Sequence, residues 1–157
     1  MLLIAWAQTP TEAISLLSEV HNATEVALSQ SHPADYNHDG RPDLVVTQNG
    51  SFTHLYQNAL ARPGLRVRLH AGPANPTGVG AIARLKFSNG KLGPARLITA
   101  GSGYWSQDSA VQVLATPEPP TYLKIRWPNG KTTSTAIPQG AKEISVGTDG
   151  KLLTPAK

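Results

Sequence analysis

The chain has 157 residues, 39% hydrophobic and 15% charged, which suits one ordinary domain, or one domain plus a fragment of another, and excludes a charge-rich disordered tail. Fourteen Lys and Arg against ten Asp and Glu leave a net charge of +4, a mild bias with no basic run that would mark a nucleic-acid patch. The absence of cysteine rules out disulfides, thiolate metal sites and cysteine nucleophiles, and no stretch reaches the ~20 apolar residues of a membrane-spanning helix.

Residues 1–31 form an N-terminal segment. Met1 to Ala7 lacks a basic n-region and its apolar run is short, so we expect any export signal to lie upstream of this chain. Thr9-Pro10-Thr11-Glu12 offers a helix cap with proline at the first helical position, and Ile14, Leu17 and Val20 follow at helical spacing. A short helix is therefore one reading. A strand near Glu25 to Ser29, with Val26 and Leu28 on one face, is another.

Residues 32–63 carry the most specific chemistry. Asp35-Tyr-Asn37-His-Asp39-Gly40-Arg41-Pro42-Asp43 places oxygen-bearing side chains at loop positions 1, 3, 5 and 9, with glycine at position 6. Alternate side chains turning toward one point, around a sharp bend, suit a hard cation. Calcium is preferred to magnesium because many protein oxygens converge here, whereas magnesium keeps several waters. We expect Asp35, Asn37, Asp39 and Asp43 to ligate through side chains and Arg41 through its carbonyl. An EF-hand would need Glu at position 12, which is Val46, and a helix where Leu44-Val45-Val46 reads as a strand. The loop thus reads as a strand-flanked relative of the EF loop, with a structural ion. Leu44 to Thr47, the Asn49-Gly50 turn and Phe52 to Gln57 read as a hairpin.

After a linker at residues 59–64, residues 64–148 repeat one grammar. Leu65 to His70 alternates apolar and basic residues, a half-buried strand. Ala81 to Phe87 and Leu92 to Thr99 flank Asn89-Gly90, and Tyr122 to Trp127 and Lys131 to Ile137 flank Asn129-Gly130. Asn-Gly supplies the positive φ angles of a tight hairpin turn. Ile144 to Val146 reads as the last strand, with residues 149–157 a tail. The basic pairs Arg66/Arg68, Arg84/Lys86 and Lys124/Arg126 read as the wet face of strands, with a polyanion-binding face as the alternative. The expected fold is mainly β: a partial propeller-like hairpin bearing the loop, then a small antiparallel sandwich or barrel.

Catalytic motifs are absent from the sequence. Gly78-Val-Gly80-Ala-Ile-Ala83 has dinucleotide-loop spacing but leads into a strand, so tight backbone packing at a strand entry is the better account. Ser102 stands between adjacent glycines, unlike a nucleophile elbow. His21, His32, His38, His54 and His70 share no metal or triad spacing, and His38 is expected to face solvent. No enzyme activity is expected. Tyr104 and Trp105 either form a sugar-stacking platform, as in a carbohydrate-binding accessory domain, or pack in the core.

The loop from Asp35 to Leu44 resembles that of FG-GAP/VCBS repeats, the calcium-bearing blades of integrin-type propellers. The longer segment C-terminal to it resembles an ASPIC/UnbV domain in four stretches: Leu65 to Leu69, Asn75 to Ala81, Ala100 to Gln107, and Ile125 to Lys131. The order of loop, Leu55-Tyr-Gln-Asn58 and this domain is similar to the cartilage acidic protein-like family. The resemblance implies a secreted or periplasmic, calcium-dependent adhesion or interaction module. Its expected partner is a protein or glycan surface, not nucleic acid or a membrane interior. The chain holds at most part of one blade, so we expect the C-terminal part of a larger propeller protein. Orphan strand edges would then pair in a homodimer or with the missing blades.

Overall fold

A computed structural model describes residues 3–4, 28–48, 52–101 and 107–153, and of residues 3, 4, 28–32 and 48 the backbone alone. The expected helix beginning near Thr9, the Asn49-Gly50 turn, and Tyr104 and Trp105 lie outside the described residues. All regular structure among the described residues is β. The chain divides into two compact units, Met1–Pro63 with Gly101–Ser109, and Gly64–Ala100 with Ala110–Lys157.

The first unit holds one four-stranded sheet built from β1 (Leu3–Ile4), β2 (Leu28–Ala34), β3 (Asp43–Gln48) and β4 (His54–Asn58), in the order β1-β4-β3-β2. Strands β2, β3 and β4 form an antiparallel meander, while β1 joins β4 in parallel. Pro33 sits in β2, the outermost strand, where its missing N–H costs no ladder bond within a sheet centre. Period two on β3 turns Val46 inward, and on β4 it turns Tyr56 and Asn58 inward. Tyr56 stands opposite Leu44, which packs on the Val46–Tyr56 cluster.

The second unit stacks two sheets around one core. Strands β6 (Ile82–Phe87), β7 (Arg96–Leu97), β9 (Pro120–Arg126) and β10 (Thr132–Ala136) form an antiparallel sheet in the order β10-β9-β6-β7. Strands β5 (Leu65–His70), β8 (Gln112–Leu114), β11 (Glu143–Gly147) and β12 (Leu152–Leu153) form the other, in the order β12-β11-β5-β8. Inward residues of both, among them Val67, Leu85, Leu123, Ile125 and Val146, make one buried cluster. The unit is an open sandwich, not a closed barrel. Its second sheet also corrects the all-antiparallel expectation: β5 and β11 run parallel, with Arg66 opposite Glu143 and Leu69 opposite Val146.

Turn chemistry explains the hairpins. At Asn89-Gly90, Asn129-Gly130 and Asp149-Gly150 each glycine takes a φ between 81° and 84°, and the Asn or Asp oxygen accepts the N–H two residues on at 2.9–3.0 Å. The third of these carries the chain into β12, so the last hairpin extends beyond the strand end read from sequence. Before β6, Asn75 clamps its loop by accepting from Val79 N at 2.8 Å and donating to Val79 O at 2.9 Å. A Cβ on Gly78 would lie 3.0 Å from Cβ of Leu69, so this glycine motif serves close packing at a strand entry. Trp127, 2% exposed, lies within the core, and its indole N–H donates to Thr133 Oγ1 at 3.0 Å.

The mild net charge is a difference of opposites. The first unit's sequence holds seven Asp and Glu against two Arg, and the second holds twelve Lys and Arg against three acids.

Candidate functional site

The loop from Asp35 to Asp43 joins β2 to β3. Ala34 pairs with Asp43 across the two strands, so the ladder itself brings the loop's first and last carboxylates to its mouth. Asp35 is 8% exposed and Asp43 is fully buried. Between them the backbone bends through two left-handed residues, His38 (φ 63°) and Gly40 (φ 82°). Glycine takes that conformation freely, and His38 carries its ring into solvent there.

Asp35 organises the bend from within. Its Oδ1 accepts the N–H of Asp39 and its Oδ2 that of Gly40, both at 3.0 Å. Asn37 is exposed; its Oδ1 accepts the N–H of Asp39 at 3.1 Å and its amide donates to Asp39 Oδ2 at 3.0 Å. Asp39 in turn accepts the Arg41 N–H at 2.8 Å and a guanidinium N–H of Arg41 at 2.9 Å. The Arg41 Nε donates to the Ala61 carbonyl. Arg41 therefore acts through its side chain as well as its backbone, a role the spacing did not disclose.

Partial burial pushes the Asp39 carboxyl up. Hydrogen bonds from Asn37 and Arg41, with the Arg41 charge, outweigh it and hold the group below its ordinary value.

Asp43 joins the loop to β4. Its Oδ2 accepts from Tyr36 N at 3.2 Å and its Oδ1 from Asn58 N at 2.9 Å. Asn58, 1% exposed, donates to the Pro42 carbonyl at 3.2 Å and accepts from Ala61 N, also at 3.2 Å. Sequence reasoning named Asn58 only as part of a motif. Its position two residues after Tyr56 on the inward face of β4 was the signal that it is buried and therefore bonded.

The five predicted residues thus belong to one hydrogen-bonded loop. In this form, no three His, Cys, Asp or Glu side chains among the described residues are gathered into a metal-holding group. The donor chemistry nevertheless fits a hard cation. Each Asp43 oxygen accepts one N–H and keeps a lone pair, and no Lys, Arg or His pairs with Asp43 among the described residues. A family model described as ASPIC and UnbV matches residues 71–152, just over half of the chain. No curated protein matches it.

Proposed function

The chain belongs to the ASPIC and UnbV family, and on that premise we propose that it is a non-enzymatic, extracytoplasmic interaction module whose Asp35–Asp43 loop binds a structural calcium ion. The family match begins beyond the loop, so the FG-GAP/VCBS reading of the loop rests on its own residues and on the antiparallel meander that carries it.

One observation carries the calcium reading. Asp43 is a fully buried carboxylate whose partners are two neutral main-chain N–H groups. A buried charge is expensive unless it is paired or coordinates a metal. Asp35, Asn37 and Asp39 would join Asp43 as side-chain ligands, with the Arg41 carbonyl completing the set. The ion would supply positive charge to the acid-rich loop and tie β2 to β3. Because strands flank it, calcium would set stability rather than swing helices, as an EF-hand does.

Calorimetric titration of the calcium-stripped protein tests this. Saturable binding is expected with Kd of about 0.1–1 mM, the range of extracellular modules. Calcium at ten times Kd should stabilise the fold by about 1.4 kcal/mol, and magnesium at that concentration by much less. Absence of binding heat at millimolar calcium removes the metal from the proposal.

A further inference from the structure

The pairs Arg84/Lys86 and Lys124/Arg126 serve neither the loop nor the core. In the register of β6 and β9, Arg84 stands opposite Lys124, Ile82 opposite Arg126, and Lys86 opposite Tyr122. Ala83, Leu85, Leu123 and Ile125 alternate with them into the core, so all four cations share the outer face of this sheet. At ~3.4 Å per residue they form a diagonal band about 14 Å long, from Arg126 through Lys124 and Arg84 to Lys86. Beside it on β10, Thr132 pairs with Arg126 and Ser134 with Lys124. No outward position of these four strands is acidic.

Like charges directly opposite one another destabilise a sheet. The same unit neutralises a basic pair elsewhere: Arg66 and Arg68 share Glu143, with nitrogen–oxygen distances of 3.1 and 3.9 Å. Among the described residues, the band on β6 and β9 has no such carboxylate. Arg84 Nε donates to the Gly93 carbonyl at 2.9 Å, which orients its guanidinium.

We propose that this band is a docking track for a linear anionic polysaccharide. Its sulfate or carboxylate groups would pair with the four cations, and its hydroxyls with Thr132 and Ser134. Charge and shape choose this occupant. Duplex DNA is read by an element that enters a groove, and a single strand by a row of stacking aromatics. This narrow band follows a sheet face with Tyr122 as its exposed aromatic. A second copy of the chain is the poorer match: its Asp35 and Asp43 are buried, its Asp39, Glu143 and Asp149 are paired with Arg41, Arg66 and Lys151, and among its described acids Glu118 alone is exposed with no ion pair. The track is separate from the loop and does not depend on calcium.

The test is fluorescence anisotropy of the full chain with labelled dextran sulfate and polygalacturonate, at low and physiological salt, in calcium and in chelator. At least one should bind, more tightly at low salt and equally in chelator. The double substitution Arg84→Gln with Lys124→Gln should weaken binding about tenfold. Lys142→Gln with Lys151→Gln, at the entries to β11 and β12 of the other sheet, should change it by less than about twofold. Both band positions lie on the outer face of the sheet, and the repulsion relieved offsets the lost Arg84–Gly93 bond, so melting should change little. Should the double variant unfold, Arg126→Gln alone must show the loss. No binding of either polymer, equal losses in the two double variants, or tighter binding of an oligothymidylate would each overturn the proposal. So would self-association that the band variant abolishes. Calcium titration separates this failure from failure of the loop reading.

Discussion

In the second unit fourteen buried apolar side chains form a single cluster between two sheets. In the first, the described apolar core is Val46 and Tyr56 with Leu44 against them, and the other buried side chains are Asp35, Asp43 and Asn58. Among the described residues, the first unit is therefore held by donors and acceptors whose every partner counts, the second by area removed from water. An apolar core tolerates local loosening because its attraction is spread over many contacts. A buried polar network does not, since one missing acceptor leaves the full desolvation penalty of its donors behind.

The contrast can be broken most forcefully in the second unit. Leu123 is fully buried on β9, and Leu123→Ala should cost about 2–5 kcal/mol in urea unfolding, through lost transfer energy and a residual cavity. A loss below about 1 kcal/mol would show that the sandwich is loosely packed. Next, Asp43→Ala leaves the N–H groups of Tyr36 and Asn58 without their acceptor. It should cost about 2–4 kcal/mol in chelator, with hydrogen exchange accelerating first around the loop and β4. Exchange rising equally throughout the chain would mean that the two units do not draw on separate sources of stability.

The smallest effect is set by pH. Asp39 is held below its ordinary value near 3.8, so its contribution is full above that value and lost as pH falls through the lower folded one. Melting temperature should therefore drop on acidification below about pH 4, and Asp39→Asn should flatten part of that slope. An unchanged slope in the variant would remove the Arg41–Asn37 clamp from the account.

Much of the fold was legible because it is local. Asn-Gly turns announce their own φ angles, and alternation in Ile82 to Phe87 and Tyr122 to Trp127 put Arg84, Lys86, Lys124 and Arg126 on the outer face, where they lie. What escaped was non-local. Arg66 read as a solvated strand cation, yet it is 4% exposed because Glu143 reaches it across a parallel pairing that no hairpin signal marks. At the loop, the ligand-like spacing brought Asp35 and Asp39 into one network, while the anchoring of Asp43 by Asn58 depended on β4 register. Arg41 was read for its carbonyl because side-chain reach to Ala61 is invisible in a nine-residue pattern.

The parallel pairing of β5 with β11 also governs the order in which the second unit can be made. Its partners Arg66 and Glu143 are separated by most of the unit's sequence, with β6 to β10 between them. A growing polypeptide thus exposes the open side of β5 until Gly147 has left the ribosome, whereas the Asn-Gly hairpins can close soon after their own synthesis. Assembly of this sandwich is a late event, and the interval before β11 arrives is when unpaired β5 is most open to mispairing with another nascent copy.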